Sequence, residues 1–419
     1  MNIHLLGWAT GALFFFYAWV LRVSPSVMVE ELMRDFSVGA TAVGSLSAVY
    51  FYGYAGMQIP VGLMIDRFGP RRLLAISALV CGASCLLAAW SPTFAGVSVG
   101  RFLIGASAAF SLVGALAVAG QWFEPRRFAF LGGLAMTAGM AGGVLGQAPV
   151  RLLVESNGWR PTVAVMALGG VLLAVMAVAF VRDKSRGSGG LGDVLSGLGR
   201  VLRNPQTWLI SLAGLGVNGT LLGFGGLWGV PFMRAAHGLE PATSAFLTSL
   251  LIAGWGCGAP VFGWLSGHMG RRRAPLLIGY AICLPSFLML VYGPPLPPSV
   301  VGALTFLTGF GGSAQIVCFA TVREVNSPAL AGTAIGVVNA MVTGTGAIYQ
   351  PLIGSILDHV WSGKIIDGAR IYGADDYRTG FLVLVCGLLI GLGCAIAMRE
   401  TRCQQMETGA RQTPQSRPA

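Results

Sequence analysis

Arg22 closes the run "FFFYAWVLR" inside the stretch FFFYAWVLRVSPSV (Phe14–Val27), which contains no acid. A guanidinium offers a planar fork of N–H donors that matches the paired oxygens of a carboxylate or another oxyanion. Buried in hydrocarbon it costs a few kcal/mol or more, so such a residue is expected to face a polar cavity. The reading that follows is an anion contact; the competing one is a structural bond to a helix carbonyl. Arg101, in RFLIGASAA (Arg101–Ala109), is a second basic residue inside an apolar run. Its roles divide among proton coupling, a structural hydrogen bond to the cavity wall and a second anion contact. Around these two, the candidates for a substrate-binding lining are Tyr50, Tyr54, Gln147, Asn218, Trp228, Gln315 and Asn339. Tyr50 and Tyr54 are four residues apart and so share one helix face. Glu30, at a helix end, is assigned a coupling or structural role.

What is missing narrows the chemistry further. There is no nucleophile elbow and no phosphate-binding glycine loop, and His4, His237, His268 and His359 lack metal-site spacing. No catalytic residue, metal or cofactor is expected, and the chain does not read as an enzyme. The eight cysteines fall mostly in apolar stretches and read as small hydrophobes. All sixteen acids can be placed at helix ends, in loops or in the tail, which leaves no deep carboxylate for binding an organic cation.

These residues need elements to hold them. Of 419 residues 54% are hydrophobic and 10% charged, with mean hydropathy +0.72, too little polar surface to coat soluble domains of this size. Twelve apolar runs, each near the roughly 20 residues that cross a bilayer, lie between Leu5 and Met398. Lipid-facing barrel strands would be shorter and alternating, so helices are expected. With both termini cytoplasmic, eighteen of the 27 basic residues fall on the inner side and seven on the outer, Arg22 and Arg101 being the other two. The net charge of +11 is then met by anionic lipid head groups, and no nucleic acid is implied. No Lys or Arg precedes the first apolar stretch, so that stretch is expected to remain as a helix.

The chain also repeats. GLMIDRFGPRR (Gly62–Arg72) and GWLSGHMGRRR (Gly263–Arg273) end the second and eighth runs, their first glycines 201 residues apart. The resulting organisation is a six-helix bundle over 1–182, a polar, basic linker over 183–205, a second six-helix bundle over 206–399 and a tail over 400–419. The first of the two stretches resembles the signature loop of the major facilitator superfamily, with Gly62, Asp66, Arg67, Gly69, Arg71 and Arg72 in place. Arg101 and Gly105 are similar to that family's fourth-helix pattern. Phe16–Val29, followed by EELMRDFSVGATAVG, is similar to the first helix of organophosphate:phosphate antiporters, with Arg22 on their anion-binding position. The resemblance implies the twelve-helix major facilitator fold, an all-α membrane protein, and a latch role for the Gly62–Arg72 loop through Asp66. The antiporters' partner arginine would fall near Gly223, so a single carboxylate or other monoanion is expected rather than a doubly charged phosphate.

The function expected is secondary active or facilitative transport, by alternating access, of a small anionic or zwitterionic organic solute such as a carboxylate, amino acid or short peptide. A proton or counter-anion is the expected coupling partner, in a monomer set in the lipid of a bacterial inner membrane. A multidrug exporter is the runner-up. A transporter-like sensor is a third class, for which the linker and tail offer no signalling domain.

Overall fold

The computed structural model describes residues 3–184 and 191–406. The first span is α1 (Ile3–Val23) with a 3-10 turn (Ser24–Val27), followed by the short helix α2 (Val29–Phe36). Next come α3 (Ala40–Phe68), α4 (Pro70–Trp90) and α5 (Phe94–Trp122). The fifth span consists of α6 (Pro125–Leu145) and α7 (Ala148–Asn157), and α8 (Trp159–Phe180) completes the first half. After α9 (Leu191–Leu202), the seventh span joins α10 (Pro205–Gly219), a π-helical segment (Thr220–Trp228) and α11 (Gly229–His237). Then follow α12 (Pro241–Met269), α13 (Arg273–Tyr292) and a tenth span of α14 (Pro298–Gly312), a 3-10 turn (Ser313–Gln315) and α15 (Ile316–Glu324). α16 (Ala331–Val360) and α17 (Ala374–Ala397) end the bundle, with a hairpin of β1 (Ile365–Ile366) and β2 (Ala369–Arg370) between them. Ten of these segments are long and apolar enough to cross a membrane among the described residues, and α3 and the α6–α7 pair complete twelve. Helices satisfy every backbone group internally, which hydrocarbon demands.

Two spans break at prolines. Pro25 and Pro149 each remove a backbone N–H, and the first and fifth spans lose regular α-geometry beside them. The connector, expected as a polar, basic linker, carries α9, which packs on α16.

The 201-residue repeat is visible in how helices touch. A Cβ on Gly53 would overlap the Phe102 carbonyl oxygen, and one on Gly254 would overlap that of Phe306; Gly105 and Gly309 stand likewise against the carbonyls of Tyr50 and Leu251. Each half thus crosses its second and fourth spans backbone to backbone, which only small residues permit. Gly105→Ala is expected to push α3 from α5 at a cost of about 1–3 kcal/mol, read as a lower melting temperature; a melting point equal to wild type would contradict the crossing.

The halves meet only part of the way along. On the face opposite the chain termini, here the distal face, α3 lies along α16, and α6 and α7 lie along α12. Cross-half contacts reach inward to Phe51 against Gly346, Tyr52 Oη on the Ala347 carbonyl at 3.3 Å, and Met140 against Gly256. Toward the termini, on the proximal face, the same helices diverge. Positions Gly62 on α3, Gly133 on α6, Gly267 on α12 and Gly336 on α16 all look onto open space. The molecule is closed distally and splayed proximally.

Candidate functional site

Arg22 lies in the last turn of α1, 5% exposed, inside a box of aromatic faces. Its guanidinium carbon is 4.4 Å from the ring of Trp19, 4.7 Å from Tyr54, 5.4 Å from Tyr50 and 5.9 Å from Phe51. Helical spacing accounts for the walls: Trp19 precedes Arg22 by three residues, and Tyr50 and Tyr54 project from one face of α3 with their rings stacked at 6.1 Å. Nε donates to Tyr50 Oη at 3.3 Å, while Nη2 has no partner. Cation–π attraction offsets part of the cost of holding this charge away from water. It also covers the faces of the guanidinium, so that the unpartnered Nη2 lies on its edge.

Arg101 reaches the same ring from α5. Its guanidinium carbon is 5.0 Å from the centre of Tyr50, and the residue is 6% exposed. Nη1 donates to the Leu21 carbonyl at 2.7 Å. That carbonyl is available because its helical partner would be the N–H of residue 25, a proline; Ser24 Oγ takes the same oxygen at 3.1 Å. Arg101 Nε and Nη2 remain unpartnered. Among the described residues neither arginine forms an ion pair. Two buried cations with free N–H donors and no carboxylate make a site short of negative charge.

The other expected lining residues divide. Gln147 is fully buried at the break in the fifth span, where it accepts from Ser26 Oγ (3.0 Å) and donates to the Gly225 carbonyl of the π-segment (2.8 Å). One amide thereby stitches three irregular spans across the halves. Asn218 donates to Val342 O (2.7 Å) and Thr345 Oγ1 (2.8 Å), and Trp228 Nε1 to Gln350 O (2.9 Å); both tie spans together inside the second half. Gln315 sits in the 3-10 turn of the tenth span with Nε2 unpartnered, and Asn339 is half-buried on the splayed part of α16. Glu30 pairs with Arg234 across the halves at the distal face, beside the Arg151–Glu31 pair at 2.7 Å. Trp19 and Phe51 are absent from the expected lining, although the three-residue spacing from Trp19 to Arg22 was signal enough.

In the proximal loop, the side chain of Asp66 lies outside the described residues. Gly62 faces open space, Arg67 stacks on Phe68 at 5.4 Å and Arg72 is exposed. Gly69 (φ 81°) turns the chain so that the Arg71 N–H meets Asp183 Oδ1 at 3.0 Å, and the Arg71 side chain caps the Val178 carbonyl of α8 (3.1 and 2.7 Å). The second half repeats the device: Glu400 accepts from the N–H groups of Arg272 (2.8 Å) and Arg273 (3.0 Å), and Arg272 pairs with Glu324 at 2.5 Å. Burial would raise the Glu400 carboxyl, but these backbone donors outweigh it and hold it below its ordinary 4.5. A carboxyl lowered on folding adds stability above pH 4.5 that is lost as pH falls through the folded value. Glu400→Gln is expected to flatten the acid limb of a melting-temperature profile, and an unchanged limb would contradict the contact.

Comparison with known proteins places this architecture. The chain is 26% identical over 387 residues to a probable nitrate/nitrite transporter, NarK2, of Mycobacterium tuberculosis, covering 90% of this chain and 91% of that one. It is 23% identical to a nitrite extrusion protein of Bacillus subtilis, covering 81% and 82%. A 27% match to the probable sulfoacetate transporter SauU of Cupriavidus necator spans 38% of this chain and 37% of that protein. Among solved structures, a bacterial homolog of the human lysosomal transporter Spinster, in an inward-facing and unoccupied conformation, superposes with TM-score 0.78 at 17% identity over 96% and 97% of the two chains. A D-xylose-proton symporter gives 0.73 at 17% identity, covering 96% and 99%. The family profile described as Major Facilitator Superfamily matches residues 9–351 and 220–416, and this multi-pass membrane transporter belongs to that superfamily.

Proposed function

We propose that the chain carries a small oxyanion by alternating access, with Arg22 as the principal anion contact and Arg101 as a second. The observation that carries this reading is the pair of buried guanidiniums flanking Tyr50, each with free N–H donors and no carboxylate partner among the described residues. Two cations in one box support a dianion such as a dicarboxylate or sulfocarboxylate as well as the monoanion expected from Arg22 alone. No carboxylate among the described residues joins the box to receive an ammonium group, which favours simple anions over amino acids and peptides. Nitrate, nitrite, sulfoacetate, tartrate and galactarate/glucarate are named for the relatives' transport and are the first compounds to try.

In this reading the protein is a monomer of a bacterial inner membrane, its termini and the connector over 183–205 are cytoplasmic, and the splayed proximal face opens inward. Each end carboxylate that could carry a proton is engaged by an arginine: Glu30 by Arg234, Glu31 by Arg151 and Glu324 by Arg272. Glu30 then belongs to the distal seal, and a counter-anion is the favoured coupling partner. The test is a melting-temperature screen of the purified protein against these anions, since a ligand of the folded state raises the transition, followed by liposome flux of each hit. Stabilisation by organic cations and none by anions would overturn the reading. Binding with no flux would turn it to a sensor.

A further inference from the structure

Asp358, in the last turn of α16, lies against the start of α3 on the other half of the molecule. Its carboxylate accepts from the Thr41 N–H (2.8 Å), Thr41 Oγ1 (2.6 Å), the Ala40 N–H (3.1 Å), Tyr372 Oη (2.5 Å) and Arg370 Nη1 (3.2 Å). Ala40 and Thr41 open a 29-residue helix whose N-cap is Gly39, which has no side chain to offer. The first N–H groups of a helix need acceptors and carry its positive dipole end. Here the cap comes from the opposite half, in the family fold whose halves must part for the distal face to open.

The backbones there leave no slack. A Cβ on Gly354 would overlap the Ala40 carbonyl, and one on Gly44 would overlap that of Gln350. Arg370 and Tyr372, from the segment that links α16 to α17, hold the carboxylate from behind, and Tyr372 Oη also takes the Ala40 N–H at 3.0 Å. The splayed proximal ends hold no cross-half hydrogen bond among the described residues.

We propose that Asp358 is the distal latch of the transport cycle, a positioning residue that caps α3 only while the distal face is closed. Opening that face strips the cap from α3 and leaves both partners to water, so the closed state is favoured by the charge-assisted bonds made there. Asp358→Asn keeps the size and one acceptor but removes the charge. It shifts the equilibrium toward the distally open state by about tenfold or more, the scale of losing charge-assisted bonds.

The test uses the full chain, freed of native cysteines and spin-labelled at exposed distal positions through Asn157→Cys and Glu240→Cys, with distances measured in lipid nanodiscs without any substrate. The result therefore does not depend on which anion the central site takes. Asp358→Asn should populate a longer distance that is minor in the parent chain, and Tyr372→Phe should do so to a smaller degree. Equal distance distributions in folded parent and Asp358→Asn would overturn the latch, as would a lower melting temperature with no change in distance. If Asp358→Asn does not fold, Tyr372→Phe and Thr41→Val decide on the same readout: a longer distance supports the latch and an unchanged one rejects it.

Discussion

Arg22→Ala is expected to reduce anion transport about a hundredfold or more while leaving the melting temperature of the substrate-free protein unchanged or raised. The loss follows from the edge of the guanidinium, where Nη2 has no partner inside the protein. Two charge-assisted hydrogen bonds to one oxyanion are worth about 1.5–3 kcal/mol each, and each 1.4 kcal/mol is about tenfold in affinity. The stability side follows from the empty site. A cation 5% exposed, with Nη2 unpartnered and no carboxylate pair, weakens the unliganded fold, and its removal relieves that cost. A structural arginine would show the reverse pattern, a lower melting temperature with transport retained in the survivors. Arg22→Lys keeps the charge but not the fork, and should fall between. Liposome flux and thermal denaturation on the same preparations separate these outcomes, and flux at the wild-type level in Arg22→Ala would remove Arg22 from the anion site.

Much of this arrangement is legible in the sequence because membranes impose coarse rules. A run of about 20 apolar residues must be a spanning helix, and Arg22 and Arg101 are conspicuous as the two charges such runs retain. The repeat at Gly62 and Gly263 is legible as matching residue strings, and its 201-residue offset recurs in the backbone crossings at Gly53 and Gly254. Three things are hidden. The joining of Arg22 and Arg101 through Tyr50 depends on packing between α1, α3 and α5, which no local pattern encodes. Asn218 and Trp228 look like a cavity lining by type, yet the carbonyls they satisfy belong to another span, so only the fold reveals them as ties. Asp358 reads as one more acid at a helix end, because its partners at Ala40 and Thr41 are more than three hundred residues away.

Arg101→Ala is expected to differ in kind from Arg22→Ala, losing stability as well as transport. The Leu21 carbonyl has no helical donor because residue 25 is proline, and Arg101 Nη1 at 2.7 Å is the stronger of its two partners. Without it, the buried acceptor keeps only Ser24 Oγ, and the charge-assisted bond that is lost is worth about 1.5–3 kcal/mol. The last turn of α1, which aims Arg22, also loses its tie to α5. The melting temperature should therefore fall where that of Arg22→Ala does not. The effect on ligands is expected to depend on charge. A monoanion held by Arg22 keeps its main contact, whereas a dianion loses the cation that balances its second charge, so dicarboxylate affinity should drop about tenfold more than monocarboxylate affinity, near 1.4 kcal/mol. Arg101→Lys retains a positive charge and should restore part of that dianion preference while leaving the Leu21 carbonyl less well bound. Paired binding curves for a mono- and a dicarboxylate, taken on wild type and both variants, measure the split. If the two ligands weaken to the same extent, Arg101 anchors the first span and touches no substrate.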